Sequence, residues 1–125
     1  AILCLCISIF VILVGLQSQT SNTITPQELS SEEYRNIRVE LTDLLLQQDP
    51  RIALISIREK AKSNPAIARS CHDLVHEIGH EAYKKYGDFG QAMQYQNEVC
   101  NSGYLHGIIE SHFTKSASQP FLSNP

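Results

Sequence analysis

This sequence contains no basic patch, no alternating strand pattern and no internal repeat, and each absence excludes something. Its ten Lys and Arg are mixed among thirteen Asp and Glu, for a net charge of −3. The electrostatic footprint of a nucleic-acid-binding surface is therefore missing, and no nucleic-acid partner is expected. No stretch alternates apolar and polar residues as a half-buried strand must, which leaves helix as the regular structure. No fixed period of self-similarity marks a repeat array. Cysteine is scarce, at four, and there is no Cys-x-x-Cys-His of the kind that attaches haem. A chain of 125 residues suits one small domain. It begins at Ala1 and stops at Asn124-Pro125 with no clear end signal, which suggests a fragment.

Residues 1–16 lack charge altogether, and Ser8 is their one polar residue. A spanning helix takes about 20 apolar residues, and a preceding stretch would supply the remainder. The same composition suits the apolar core of a secretory signal peptide. No clean small-x-small cleavage site follows, which favours an uncleaved transmembrane anchor over the signal peptide. A buried core helix fits poorly, because no face of this segment is polar. Both main readings place residues 17 onward outside the cytoplasm, in a protein either membrane-anchored through residues 1–16 or secreted. Cys4 and Cys6 lie inside the apolar segment, with no lipoprotein signal before either one. Cys71 and Cys100 fall in the exported part, where two cysteines are most simply a disulfide.

Residues 17–25 are polar and read as a linker. Thr25-Pro26-Gln27-Glu28 has the form of a capping box and predicts a helix over about 26–48, with Ile37, Leu41, Leu44 and Leu45 as its buried stripe. Asp49-Pro50 and Asn64-Pro65 each restart the pattern. They predict helices over about 50–62, burying Ile52, Ile55 and Leu54, and over 65–86, stopped by Gly87. Asp88 is placed to cap a short helix to about Gln94, and Asn101 or Ser102 a last one to about Lys115. Residues 116–125 show no periodicity and read as loop. The expected fold is all-α: a small bundle of helical hairpins over residues 26–115, behind the N-terminal hydrophobic helix.

All five histidines and both exported cysteines lie between positions 71 and 112. His76 and His80 are four apart and leave one side of a helix, with His72 a turn earlier near the edge of that stripe. Two imidazoles at this spacing can grip one metal ion. His106 and Glu110 share a face of the last helix, and Gly103 and Gly107, also four apart, permit close approach of another helix. A Cys71–Cys100 bridge would hold the starts of these two helices together and let His76/His80 face His106/Glu110. Glu77-x-x-His80 is half of a di-iron carboxylate motif, but no second copy exists.

His76-Glu77-Ile78-Gly79-His80 resembles the His-Glu-x-x-His motif of zincin metallopeptidases, and the Ile-Gly filling is similar to the metzincin version. The resemblance implies zinc, bound by His76 and His80, with Glu77 as the general base of metal-assisted peptide hydrolysis. The metzincin continuation is missing, since Tyr83 and Tyr86 stand where its Gly and third His would be. In the gluzincin branch the third ligand is a later Glu, a role that falls to Glu98, which follows Asn97, or to Glu110. The resemblance spans five residues. The other reading is a non-catalytic helical domain, stapled by Cys71 and Cys100, that binds a protein partner or holds a structural metal. In a metal-free version the imidazoles would hydrogen-bond to Asp73, Glu77 or backbone carbonyls.

Overall fold

Ser30, Asp49, Asn64 and Asp88 each stand one residue before a helix, and each side chain accepts a backbone N–H of the first turn. In the computed structural model, which describes residues 28–118, the helices are α1 (Ser31–Gln47), α2 (Pro50–Ser63), α3 (Pro65–Tyr86), α4 (Phe89–Met93) and α5 (Gly103–Ser118). No strand occurs among the described residues, so the fold is an all-α bundle. None of the described helices is long and apolar enough to cross a membrane. The expected anchor at 1–16, the linker at 17–25 and the Thr25 cap lie outside the described residues.

α1 begins later than the Thr25-Pro26 signal predicts, because residues 28–30 are not helical. A second capping box does the work. Ser30 Oγ accepts the Glu33 N–H at 3.2 Å, and the Glu33 carboxylate accepts the Ser30 N–H at 2.8 Å. Hydrogen bonds from the Ser30 side chain and backbone hold the Glu33 carboxyl below its ordinary pKa. The far end of α1 is closed from another helix: Lys85 Nζ donates to the carbonyls of Leu45 (2.6 Å), Leu46 and Gln48. Pro50 and Pro65 open α2 and α3, where the missing N–H is no loss. α3 ends at Gly87, whose φ of 65° suits a residue without Cβ. α5 runs three residues past Lys115, so residues 116–118 are helix rather than the expected loop. Ser116 and Ala117 are exposed, so this turn carries no apolar periodicity that would have marked it.

α3 is the central element. Leu74, Val75, Ile78 and Ala82 are fully buried beside Leu41 and Leu45 of α1, Ala53, Leu54 and Ile57 of α2, and Tyr104 and Ile108 of α5. Each buried Leu or Ile contributes roughly 1.5–3 kcal/mol. On α2 the buried face is Pro50, Ala53, Leu54 and Ile57, an i, i+3, i+4, i+7 stripe. Ile55, expected inside, points away from that stripe and is 42% exposed, while Ile52 is half-buried.

α3 and α5 run parallel and touch backbone to backbone. A Cβ on Gly103 would stand 3.3 Å from the His76 nitrogen, one on Gly107 3.0 Å from the His80 nitrogen, and one on Gly79 3.1 Å from the Gly107 Cα. Each Cβ would also fall inside 3.0 Å of a backbone carbonyl oxygen, that of Tyr104 for Gly79, His72 for Gly103 and His76 for Gly107, an approach that real Cβ atoms essentially never show. Glycine at these positions is therefore a packing requirement. Parallel neighbours need a return connection, supplied by α4 and the segment up to residue 102. Cys100, Asn101 and Ser102 take φ of 52°, 55° and 59°, three successive left-handed residues without glycine. Each costs about 1–2 kcal/mol. The turn is tied down because Cys71 and Cys100 stand at disulfide distance, with Cα atoms 5.4 Å apart. Tyr104, fully buried, donates its hydroxyl to the Ala92 carbonyl at 2.9 Å and so ties α5 to α4.

Candidate metal centre

The glycine contact brings one stripe of α3 alongside one stripe of α5. His76 and His80, successive turns of α3, direct their Nε2 atoms at the same oxygen of Glu110. The separations are 3.1 Å from His76 and 3.3 Å from His80. All three donor atoms lie within 4.8 Å of one another, and among the described residues no other His, Cys, Asp and Glu group of three is so close. Two zinc bonds of 2.0–2.1 Å meeting at the tetrahedral angle span about 3.3 Å. The two histidine-to-Glu110 separations match that edge, and two imidazoles with one carboxylate are a donor set that zinc accepts.

The surroundings orient these groups. His80 Nδ1 lies 2.6 Å from the Ser111 hydroxyl, which follows Glu110 on the same helix. This is the kind of contact that fixes a ligating imidazole's orientation. The side chains of His76, His80 and Glu110 are 27%, 31% and 59% exposed. A solvent-accessible set of three donors leaves a fourth position open to water, unlike a closed structural site. A cleft of about 670 Å³ opens beside the group, lined by His80, Glu110, Ser111, Thr114 and Tyr83 among others. That volume is within the range of small-molecule pockets.

The remaining sequence candidates are distributed differently. His106 lies one turn before Glu110, and its ring meets His72, with centroids 5.3 Å apart. His72 Nδ1 is 3.0 Å from the Cys100 carbonyl. Glu98 is exposed in the segment before the left-handed turn and is not part of the close group. Glu77 is on the side of α3 that faces α1, where its carboxylate is 3.9 Å from Arg38. It lines a separate cleft of about 320 Å³ with Arg38, Thr42 and Asp43. His112 pairs with the Tyr83 hydroxyl at 3.2 Å and packs against Phe89. Sequence reasoning did not identify Ser111 or the Cys100 carbonyl. Ser111 was findable, since it continues the Gly103, Gly107 spacing by four residues.

Set against known protein families, characterised proteins and solved structures, the chain matches none of them.

Proposed function

We propose that this protein is a zinc-binding helical domain that works outside the cytoplasm, with His76, His80 and Glu110 as ligands and water completing the site. The observation that carries this reading is the convergence of two ring nitrogens on one Glu110 oxygen at 3.1 and 3.3 Å. The disulfide-distance pair Cys71/Cys100 supports an oxidising compartment. Bound zinc would supply Lewis acidity and lower the pKa of its water. This chain's own residues would set the site's shape: α3 and α5 clamp it, Ser111 orients His80, and the adjoining cleft admits a ligand.

A hydrolytic version of this reading, toward peptide bonds, assigns Glu77 as base. The cleft beside His80 and Glu110 favours a bound substrate, although Glu77 lines the other cleft, with Arg38. The Arg38 contact, which draws Glu77 toward α1, favours the non-catalytic version, a disulfide-stapled domain that binds a partner. Two substitutions separate the readings. Glu110→Gln is expected to lower zinc affinity at least tenfold, because a carboxylate ligand becomes a neutral amide. Glu77→Gln is expected to leave zinc binding unchanged. If the parent cleaves a quenched-peptide library in a zinc-dependent way and Glu77→Gln does not, Glu77 is the base. Unchanged zinc affinity in Glu110→Gln removes Glu110 from the ligand set.

A further inference from the structure

α3 and α5 are parallel, so a shift of four residues along both carries one pair of facing positions onto the next. Moving back from His76 and Glu110 by one turn arrives at His72 and His106. The displacement is about 6 Å, four residues of helical rise. These two rings do meet across the helix pair, with centroids 5.3 Å apart at an interplanar angle of 62°. His72 also stacks along α3 on His76, at 6.3 Å. The imidazole stripe of α3 is thus continuous, and α5 answers it twice, with Glu110 at one level and His106 at the other.

A second, independent observation concerns the proton on His72. Its Nδ1 lies 3.0 Å from the carbonyl oxygen of Cys100. A carbonyl only accepts, so Nδ1 carries the hydrogen and donates it. The neutral ring then presents its lone pair at Nε2. An Nδ1–H held by a backbone carbonyl is the usual support of a metal-ligating histidine. Here the carbonyl belongs to the first residue of the left-handed turn, whose φ of 52° is uncommon for a residue with a side chain.

We propose that His72 and His106 form a second cation site, one helical turn before the His76/His80/Glu110 group, for a borderline transition-metal ion such as zinc or copper. Two neutral imidazoles and no carboxylate select such ions over calcium or magnesium. Two protein ligands instead of three make this the weaker site, with water or an external ligand filling the other positions. His106 is exposed, so the ion would reach it from solvent without a conformational change.

The test is a zinc titration of the full chain, purified without a His tag and with its cysteines oxidised. It reads ions per chain together with the side-chain ¹⁵N resonances of the histidines. The parent is expected to take two ions, the second more weakly, with the His72 Nε2 and His106 resonances moving only at the second equivalent. His106→Ala changes an exposed side chain and should keep the helical spectrum while taking one ion. His76→Ala/His80→Ala should also take one ion, now at His72 and His106. A parent that takes one ion, with His106→Ala also taking one, overturns the second site and leaves the first standing. A parent that takes one ion and loses it on His106→Ala overturns the second site too, by making His106 part of one shared site. A parent that takes none overturns both sites.

Discussion

Replacing Gly107 by alanine tests the packing on which the whole site depends. Alanine gains about 0.8–1.0 kcal/mol of helix propensity over glycine. Against that, its Cβ would collide with the His76 carbonyl and stand 3.0 Å from both the His76 carbonyl carbon and the His80 nitrogen. These are backbone atoms of a 22-residue helix, so they cannot rotate aside as a flexible side chain would. Overpacking of this kind typically costs about 1–3 kcal/mol, and the upper end applies because α3 and α5 must separate. The net expectation is a loss of about 1–2 kcal/mol. In urea unfolding that is a fall in midpoint of roughly 1 M. The same separation carries Glu110 away from His76 and His80, so zinc affinity should fall in parallel. Gly90→Ala is the matched control. Its Cβ would meet only Asp88 Oδ1, at 3.4 Å, which is ordinary contact. It should be neutral or stabilise by up to about 1 kcal/mol. A Gly107→Ala protein as stable as the parent, with zinc affinity unchanged, would refute the backbone-to-backbone packing of α3 and α5.

Three other outcomes follow from single features. Ser111→Ala removes the hydroxyl beside His80 Nδ1 and should weaken zinc binding about 10–100-fold without unfolding the protein, as read by competition with a chromophoric chelator. Ser30→Ala removes the cap of α1 and should lower stability by about 1 kcal/mol in urea unfolding. At high pH, burial raises the pKa of Tyr104, and burial together with the neighbouring Tyr95 raises that of Tyr86 to about 12. Both folded-state values exceed the unfolded value of about 10, so the folded protein holds these protons longer than the unfolded chain does. The stability this confers is complete below pH 10 and is lost as pH climbs toward 12 and beyond. Urea unfolding at stepped pH, with phenolate absorbance as the second signal, checks the direction.

Much of the fold can be read from start and stop chemistry. Asn64-Pro65 and Gly87 bound α3 as expected, and Asp49-Pro50 and Asp88 mark the starts of α2 and α4. Where the reading failed, two local signals competed or a signal was weak. Thr25-x-x-Glu28 and Ser30-x-x-Glu33 offer two capping boxes in succession, and composition alone does not choose between them. On α2 the bulk of Ile55 outweighs the small Ala53 in any count of apolar residues, yet Ala53 is on the buried stripe. In the candidate metal centre, four-residue spacing places His76 and His80 on one face, and the glycine pair announces a close helix contact. Spacing within one helix cannot give its offset against the neighbour. That offset pairs Glu110 with His76 and His80, and His106 with His72. It depends on the left-handed turn at residues 100–102, which has no glycine to advertise it.

The most direct test of the zinc assignment is the metal retained after exhaustive dialysis. The full chain and its His76→Ala/His80→Ala variant would be prepared oxidised and untagged, and zinc per chain measured by mass spectrometry. The expected result is about one tightly held zinc in the parent and none in the variant, with both proteins helical. Metal-free parent protein with a full helical spectrum, after reconstitution in excess zinc and dialysis, would contradict the account. It would leave His76, His80 and Glu110 as a hydrogen-bonded cluster between two packed helices.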